Sequence, residues 1–436
     1  MLGLGLSFLI LLSGAANMGA LALLWLLYQS IINVGQRWYS FGWESQLVET
    51  GFLAIWWVPV LSWKALPENT PPSKTIVYAY RWLIFRIMIG AGLIKFRGDR
   101  CWQMNELSCM DYHYETQPVP NPIAYFMHQS PKFVHRLEVL GNHFVECLAP
   151  FLLFLPFRSL NIAGGLIQIA FMGMIIVSGN LSFLNHLTML PSICALDDRF
   201  LAFLFSAKTR SVVARLQAQQ TVTNRRLGVR CRGVLNVALA LVLAYLSIPV
   251  VQNLFLSQRQ VMNTSFEPLR IVNTYGAFGS ITKERTEVIM QGTRSADPHG
   301  EGAEWLEYEF KCKPGSMDRR PCLISPYHYR LDWLMWFAAF QNYQSNPWLV
   351  HLVAKMLQND RLTSQLLEHN PFLNGDPPKY IRLLHYRYRY TEIGKSGKAW
   401  WRRRRLGEYL GAVSLEQLRP ILARFQWDRR LPPDSY

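Results

Sequence analysis

The chain has 436 residues, of which 50% are hydrophobic, 13% are aromatic and only 17% are charged, with a formal net charge of +16. Soluble globular proteins carry about 25% charged residues, so this composition argues against an ordinary soluble enzyme. The long apolar runs all lie in 1–256, and the remainder has the composition of a soluble domain. The sequence therefore predicts an α-helical polytopic membrane bundle over 1–256, followed by a mixed α/β lumenal domain over 257–436.

Four segments are predicted to cross the membrane, because each is strongly apolar and three of them are uncharged over the ~20 residues that a helical span requires. These segments are 2–28, 80–97, 160–184 and 233–256. The weaker candidates are 52–63, 144–157 and 190–205. The last of these contains Asp197-Asp198-Arg199, which is at least as typical of an interfacial or bundle-facing helix.

A basic segment indicates the orientation of the chain. Residues 207–232 contain seven lysines and arginines and no acidic residue, and short loops of this kind stay on the cytosolic side. Counting spans outward from this basic cytosolic loop places 257–436 on the opposite, lumenal side. The predicted lumenal loop 98–143 falls on that same side, whether four segments or all seven are counted.

Two close pairs of cysteines lie on the predicted lumenal side, Cys101 with Cys109 and Cys312 with Cys322. Disulfides persist in oxidising compartments, so each pair is a disulfide candidate. Both loops are short, which limits the stabilisation from each bond to ~3 kcal/mol or less. Asn263 begins an Asn-Thr-Ser sequon on the same side and is the glycosylation candidate.

Three stretches of the region after residue 257 have the pattern of strands. β-Branched and aromatic residues with glycine punctuation predict strands within 269–289 and over 305–311. The stretch 381–390 reads IRLLHYRYRY, with tyrosines at every second position near its end. It is predicted to be a strand with a tyrosine face and a basic face.

Helices are predicted between and after these strands. Apolar residues at helical spacing predict helices over 332–341 and 347–357. Ser414 and Gln417 have the spacing of a capping box that opens a closing helix over 414–426. The region after residue 257 thus combines strands and helices.

A search for chemistry finds no G-x-S-x-G, G-x-x-x-x-G-K-[ST], H-E-x-x-H or C-x-x-C motif. The sequence therefore predicts a protein that is not an enzyme, with no catalytic residues, no metal and no cofactor. One constellation leaves a second interpretation open. Asp111, His113 and Glu115 alternate, so on a strand they would point the same way and could ligate a metal. The other interpretation is a tethering loop, because the QPVPNP that follows forces an extended path.

Charged residues within apolar segments suggest an alternative function. Arg86, His143, Glu146 and Asp197 lie in or near the predicted spans, and ionisable residues in a membrane are functional candidates by default. They are compatible with a membrane-embedded enzyme or a proton-linked transporter. A structural interpretation is also open, with Glu146 as the partner of Arg86 and with Lys95 reaching the interface by snorkelling.

Several long segments together resemble one protein family. They are WLIFRIMIGAGLIKFRGDRCW (82–102), SCMDYHYETQPVPNP (108–122), VSGNLSFLNHLTMLPS (177–192) and IVNTYGAFGSITKERTEVI (271–289). These segments resemble the lipase maturation factors, and the similarity extends through the closing domain. Relative to that family the chain is expected to be shortened at its N terminus, because family members carry a cytosolic tail, a span and a lumenal loop ahead of the 2–28 region.

The resemblance implies a multi-pass glycoprotein of the endoplasmic reticulum membrane with a lumenal C-terminal domain. It implies a chaperone that helps secreted homodimeric lipases, of the lipoprotein lipase and hepatic lipase type, to fold and assemble in lipid metabolism. The expected partners are those lipases and membrane lipid, with no nucleic acid. The basic run WWRRRR (400–405) agrees, because on the lumenal side it fits a protein partner or anionic headgroups better than nucleic acid.

Exposed aromatic side chains are the predicted lipase contacts, because aromatics are enriched where binding energy concentrates. The candidates are Tyr112, Tyr114, Trp333, Trp336, Tyr386, Tyr388 and Tyr390. A core role is the competing interpretation, since Trp333 and Trp336 have helical spacing and one face of a strand is commonly buried.

Overall fold

The structure of the chain, a computed structural model, describes residues 1–67, 72–223, 227–395 and 397–427, without the side chains of 219–223 and 227–231. The α-helices are α1 (Leu2–Ser13), α2 (Met18–Gly35), α3 (Gly42–Ile55), α4 (Lys74–Arg97), α5 (Met110–Thr116), α6 (Pro122–His128), α7 (Lys132–His143), α8 (Arg158–Ser178), α9 (Leu184–Ile193), α10 (Asp198–Leu201), α11 (Ala207–Thr223), α12 (Leu227–Val251), α13 (Arg330–Ala339), α14 (Pro347–Leu357), α15 (Arg361–Ser364) and α16 (Leu415–Arg424). The strands are β1 (Thr264–Ser265), β2 (Asn273–Thr274), β3 (Arg285–Thr293), β4 (Leu306–Glu307), β5 (Glu309–Phe310), β6 (Leu367–His369), β7 (Tyr380–Tyr390) and β8 (Trp401–Val413).

The chain folds into two compact units. The first, here the membrane unit, comprises Met1–Ser108, Arg136–Ile175 and Phe183–Ser280. The second, here the sheet unit, comprises Cys109–His135, Ile176–Ser182 and Ile281–Tyr436. Two segments that precede residue 256 therefore fold with the C-terminal region.

Within the described residues, five helical stretches are long and apolar enough to cross a membrane. They are Met18–Tyr39, Lys74–Arg97, Lys132–Phe154, Arg158–Ser178 and Arg232–Leu256. The predicted fold class is confirmed, because these helices are followed by small antiparallel sheets. The helix Lys74–Arg97 is the most enclosed of the five, with 61% of its apolar window buried.

The predicted span 2–28 is wrong as a single helix. Gly14 adopts the left-handed conformation that ends α1, and glycine tolerates this conformation without steric cost. The side chain of Asn17 then accepts a hydrogen bond from Ala20 N at 2.9 Å and starts α2. The α1 helix has 12 residues, about 18 Å in length, which is too short to span a bilayer.

The predictions for 52–63 and 144–157 also need correction. Only the first residues of 52–63 are helical, because α3 ends at Ile55 and turns follow. Residues 144–154 continue α7 through a π turn and a 3₁₀ turn, so the apolar stretch begins at Lys132. The predicted lumenal loop 98–143 is therefore too long at its C-terminal end.

The segment 190–205 is not a single element. Helix α9 ends at Ile193, and the Asp197 side chain accepts a hydrogen bond from Phe200 N at 2.8 Å to start α10. The described residues of the basic segment 207–232 are helical and belong to α11 and to the beginning of α12.

The sheet unit is built around a four-stranded antiparallel sheet with the order β4-β3-β7-β8. The register of its central pair runs from Arg285 opposite Tyr388 to Thr293 opposite Tyr380. One face of the pair carries Val288, Met290 and Leu383, which pack into a core formed with α13, α14 and α16. The predicted strand over 381–390 is observed, as is the predicted helix over 347–357.

Local signals that depend on few residues match the structure closely. The Ser414 side chain and the Gln417 side chain form the reciprocal bonds of a capping box at the start of α16. The predicted helix over 332–341 is observed over Arg330–Ala339. Strand structure within 269–289 is shorter than predicted, with only β2 and the beginning of β3.

Candidate functional site

The tyrosines near the end of β7 share one face of the sheet, because side chains alternate along a strand. Tyr388 and Tyr390 are buried, whereas Tyr386 is half-buried. The ring of Tyr390 stacks on Trp401 with centroids 4.1 Å apart, and Tyr125 meets it edge-on at 5.2 Å. Tyr388 and Tyr390 thus belong to an aromatic core of the sheet unit. The structure does not support them as exposed lipase contacts.

Residues 109–135, here the covering segment, lie over this face of the sheet. The metal-site interpretation required a strand at Asp111–Glu115, but the structure has a helix there. Residues 110–116 form α5, so Asp111, His113 and Glu115 do not line up as alternating strand residues would. Glu115 accepts a hydrogen bond from the backbone N–H of Tyr390 at 2.8 Å. No group of three His, Cys, Asp or Glu side chains that could hold a metal occurs in the described part of the chain. The hydrogen bond between Glu115 and Tyr390 holds this segment against the sheet.

The remaining predicted contact aromatics divide into buried and accessible ones. Tyr114 and Trp333 are buried, and the core interpretation applies to both. Tyr112 and Trp336 are half-buried, and Trp336 Nε1 donates a hydrogen bond to the Thr116 carbonyl at 3.0 Å. The predicted residues that keep accessible surface are Tyr112, Trp336 and Tyr386.

An aromatic patch lies at the end of α13, formed by Trp336, Phe337 and Phe340. The Trp336 ring lies 4.8 Å from each phenylalanine ring, and Phe340 is 42% exposed. Sequence reasoning included Trp336 but missed both phenylalanines, because an apolar helix end with aromatic residues is equally typical of a core. Only the placement of α13 on the sheet shows that Phe340 is exposed and that Phe337 is half-buried.

A network of buried charges lies beside the aromatic core. Arg285, Glu287 and Lys313 are all buried. Glu287 pairs with both cations, with its Oε1 2.6 Å from Arg285 Nη2 and its Oε2 2.9 Å from Lys313 Nζ. Two buried positive charges therefore depend on one carboxylate. The pairing of Glu287 with Lys313 cannot be predicted from spacing, since the lysine lies 26 residues beyond the glutamate.

Arg285 and the neighbouring Asp332 also bind backbone groups of two other segments. Arg285 also donates hydrogen bonds to the backbone carbonyls of Glu115 at 3.0 Å and Pro118 at 2.9 Å. Asp332 accepts hydrogen bonds from the backbone N–H groups of Cys312 at 2.6 Å and Lys313 at 2.8 Å. Arg285 of β3 and Asp332 of α13 thus hold the end of α5 and the chain at Cys312 in place.

The cysteines divide into bonded and free groups. Cys312 and Cys322 form a disulfide with their Cα atoms 5.5 Å apart. Cys101 and Cys109 are both disulfide-bonded. Cys147 and Cys194 are half-buried free thiols. The side chain of Cys231 lies outside the described residues.

In the membrane unit, Arg86 pairs with Glu49 of α3, and not with Glu146, which the structural interpretation had offered as a partner. The Arg86 Nη1 group also donates a hydrogen bond to the Asn273 carbonyl at 2.6 Å. Glu49 Oε2 accepts hydrogen bonds from Asn273 N at 3.0 Å and from the Tyr275 hydroxyl at 2.7 Å. This pair joins two helices of the bundle to the chain that follows its last apolar helix.

Glu146 instead pairs with Lys95, whose Nζ lies 2.5 Å from its Oε1. Asn142 donates a hydrogen bond to the other carboxylate oxygen at 3.0 Å. The His143 Nε2 lies 2.7 Å from the Trp102 carbonyl, so it is placed to donate a hydrogen bond there. Lys95 is therefore buried in an ion pair, and snorkelling does not describe it.

Asp197 forms an exposed ion pair with Arg158, whose Nη2 lies 2.8 Å from its Oδ1. Asp197 also accepts the hydrogen bond from Phe200 N that starts α10. Exposed pairs of this kind contribute little stability.

Two histidines of the sheet unit make its stability depend on pH. Burial lowers the pKa of His128 and of His328 from 6.5 to about 4. The unfolded chain therefore binds more protons than the folded chain between pH 6.5 and 4, and stability falls as the pH falls through this range. We expect a loss on the order of 3 kcal/mol for each histidine.

This pH dependence is measured by urea unfolding of the full chain in detergent at pH 7 and at pH 4.5. The double variant His128→Gln/His328→Gln removes both titrating groups and should give a flatter pH profile than the wild type. Equal pH profiles for the two proteins would contradict the assignment.

The glycosylation candidate Asn263 lies in the membrane unit, after the last apolar helix. The residue is exposed and has a positive φ of 51°. Its side-chain amide donates a hydrogen bond to the Gly276 carbonyl at 3.0 Å. Modification would have to break this hydrogen bond, since the amide nitrogen is the acceptor of the glycan.

Family models match both parts of the chain. Residues 1–203 match the model described as the lipase maturation factor transmembrane domain, and residues 271–411 match the lipase maturation factor C-terminal domain. No solved structure matches the chain.

Curated relatives cover nearly the whole chain. Lipase maturation factor 1 of Bos taurus is 56% identical over 98% of this chain and 77% of its own length. Lipase maturation factor 1 of Homo sapiens is 55% identical over 98% of this chain and 76% of its own. Lipase maturation factor 2 of Xenopus laevis is 30% identical over 90% of this chain and 68% of its own. The resemblance predicted from the sequence is thus confirmed, and the chain belongs to the lipase maturation factor family.

Proposed function

We propose that this chain is a chaperone of the endoplasmic reticulum membrane that helps secreted homodimeric lipases fold and assemble, and that it acts as a maturation factor rather than as an enzyme. The observation that carries the proposal is the 55–56% identity to proteins named for lipase maturation, over 98% of the chain. The proposed clients are of the lipoprotein lipase and hepatic lipase type. The charged groups that suggested an enzyme or transporter support a structural role. Arg86, Glu146 and Asp197 each have an ion-pair partner, and His143 is hydrogen-bonded to the Trp102 carbonyl.

The proposed orientation places the sheet unit in the lumen. The basic segment 207–232 favours the cytosolic side for the loop before the last apolar helix. The Cys312–Cys322 disulfide fits an oxidising compartment on the other side. Both observations support the same orientation.

A further crossing is needed to satisfy this orientation. Asn180 Nδ2 donates a hydrogen bond to the Cys322 carbonyl at 2.8 Å, and its Oδ1 accepts one from Ile324 N at 3.1 Å. The chain just after α8 therefore lies on the same side of the membrane as the sheet unit. The helix Arg232–Leu256 leads from the basic loop on the other side to the sheet unit. The chain between α8 and the basic loop must therefore cross the membrane as well. We infer that 184–205 crosses as a broken helix. Its 22 residues would extend about 33 Å if helical, enough for the ~30 Å hydrocarbon core.

The crossing by 184–205 predicts opposite accessibilities for two engineered cysteines. Ser211 in α11 and Ala296 in the sheet unit are both exposed. In sealed microsomes, a membrane-impermeant maleimide should label Ser211→Cys directly and Ala296→Cys only after permeabilisation, with wild-type labelling subtracted. Labelling of both positions in sealed vesicles, or of Ala296→Cys alone, would contradict the orientation.

The aromatic patch of Trp336, Phe337 and Phe340 is the proposed client contact. Lipase subunits that have not yet dimerised expose apolar surface and are prone to aggregate. Exposed aromatic side chains suit such surfaces, because they bury large apolar area with few rotatable bonds. Tyr112 and Tyr386, which also keep accessible surface, remain secondary candidates.

Truncating this patch should weaken client binding without unfolding the sheet unit. We expect Phe337→Ser/Phe340→Ser to reduce co-precipitation of newly made lipoprotein lipase about tenfold, equivalent to about 1.4 kcal/mol. The matched control is Leu362→Ser in α15, since Leu362 is also exposed but lies outside the patch. Equal binding by both variants would remove the patch from the proposal, and absence of any co-precipitation with wild-type chain would count against the proposed function itself.

A further inference from the structure

The membrane unit contains a cavity of about 500 Å³ between α4 and α12. Tyr78, Ala79 and Trp82 line it from α4, and Leu243 and Ala244 line it from α12. Sites for small molecules commonly have volumes of 300–1,000 Å³, mostly apolar walls and a few placed polar groups. The cavity has this size and this kind of wall, and neither the fold nor the proposed lipase contact accounts for it.

One end of the cavity carries the buried Glu49–Arg86 pair. The Arg86 guanidinium uses one terminal nitrogen for Glu49 and the other for the Asn273 carbonyl. Its Nε is buried, and none of the described residues accepts a hydrogen bond from it. A buried donor without an acceptor is costly, because it has lost water and gained nothing in return. The donor therefore points to a missing acceptor atom on a ligand.

The charge at this end of the cavity selects the kind of acceptor. Glu49 already balances Arg86, and its second oxygen accepts hydrogen bonds from Asn273 N and the Tyr275 hydroxyl. A second carboxylate would lie close to Glu49 in a region of low dielectric constant, where like charges repel strongly. A neutral carbonyl oxygen can accept the Arg86 Nε–H without that repulsion.

The shape of the cavity suits a single hydrocarbon chain. Thr75 and Arg86 both line it and lie eleven residues apart on α4, about 17 Å along the helix axis. Tyr78 and Ala244 are exposed, so the cavity opens on the side of the unit between the two helices. Both helices are apolar enough to cross a membrane, so this opening would face bilayer lipid.

We propose that this cavity is a lipid-binding site that takes one acyl chain of a neutral ester lipid. The ester carbonyl oxygen accepts the hydrogen bond of Arg86 Nε, and the acyl chain follows α4 along Trp82 and Ala79 toward Thr75. The Glu49–Arg86 pair thus has a second role besides joining helices, which is to hold a single donor in place for the ligand.

The site is tested with the purified full chain in phosphatidylcholine nanodiscs and a monoacylglycerol that carries a photoactivatable diazirine in its acyl chain. Cross-linking should label the cavity walls on α4 and α12. The variant Ala244→Trp fills the cavity and should reduce this labelling at least tenfold. The control Leu241→Trp adds the same side chain one turn away on α12, at an exposed position, and should label as the wild type does.

A second variant keeps the test decisive if Ala244→Trp does not fold. Ala79→Leu narrows the cavity from α4 with a smaller side chain and should also reduce labelling. Equal labelling of the wild type, both cavity variants and Leu241→Trp would mean contact with bulk bilayer lipid only and would overturn the proposal.

Competition by unlabelled ligands tests the neutral acceptor. Unlabelled monoacylglycerol should compete for the site at concentrations at least tenfold lower than a fatty acid of the same chain length, measured at pH 8 where the free carboxylate is ionised. Equal competition by the two compounds would overturn the role assigned to Arg86 Nε.

Discussion

Replacing Glu287 with alanine is expected to destabilise the sheet unit by about 3–5 kcal/mol, because it removes the carboxylate that pairs with two buried cations. Arg285 and Lys313 are both buried, and Glu287 is the carboxylate within 2.9 Å of each. The loss should appear as a lower urea midpoint for protease resistance of the full chain in detergent. Since Arg285 also holds the covering segment 109–135, cleavage within that segment should be among the first products.

The matched control for Glu287 is Glu284, which begins the same region of the chain. Glu284 pairs with Arg387 at 2.6 Å, but the Glu284 side chain is 48% exposed. Exposed ion pairs contribute at most ~1 kcal/mol, so Glu284→Ala should change the midpoint little. An equal fall of the urea midpoint in Glu284→Ala and Glu287→Ala would show that burial of the network does not determine its contribution to stability.

The second large effect is expected in the membrane unit. Glu49→Ala should destabilise it by about 3–5 kcal/mol, because the Arg86 guanidinium would remain buried with no carboxylate beside it. The change is measured as the temperature at which the detergent-solubilised chain loses its monodisperse elution. Arg158→Ala is the control, since its ion pair with Asp197 is exposed.

A double variant separates the energy of the pair from the cost of stranding one partner. Buried ion pairs can often be replaced by apolar side chains of similar volume with little loss of stability. Glu49→Leu/Arg86→Met should therefore be more stable than Glu49→Ala, although it should lose the lipid site. A double variant less stable than either single change would contradict this account of the pair.

The features that the sequence predicted correctly depend on short stretches of chain. The strand over 381–390 follows from alternation within one segment, and the cap at Ser414 needs only Gln417 three residues later. The fold class follows from apolar length, which any spanning helix must have. Each of these signals is local, so no knowledge of tertiary contacts is required.

The features that the sequence could not predict depend on distant partners. The tyrosine face of β7 is buried because Tyr125, which lies 265 residues before Tyr390, packs on it. The sequence does not identify Glu49 as the partner of Arg86, because Glu49 lies outside every predicted span and 37 residues before Arg86. Alternation identified the face but gave no information on what covers it.

The charged residues of the apolar helices also have partners that the sequence does not identify. The sequence offers Glu146 as one possible partner of Arg86, but Arg86 pairs with Glu49 and Glu146 pairs with Lys95. A charge in an apolar segment indicates that a partner exists, because an unpaired buried charge is too costly. Which partner it takes is decided by helix packing.

The most direct test of the central claim is the specific activity of secreted lipoprotein lipase from cells that lack an endogenous lipase maturation factor. Cells supplied with this chain should secrete lipase with higher activity per lipase molecule than cells with an empty vector or with the Glu287→Ala variant. Expression of each chain in the endoplasmic reticulum is verified in the same cells. Specific activity that stays at the empty-vector level, with wild-type chain present in that membrane, would contradict the proposal that this chain matures secreted lipases.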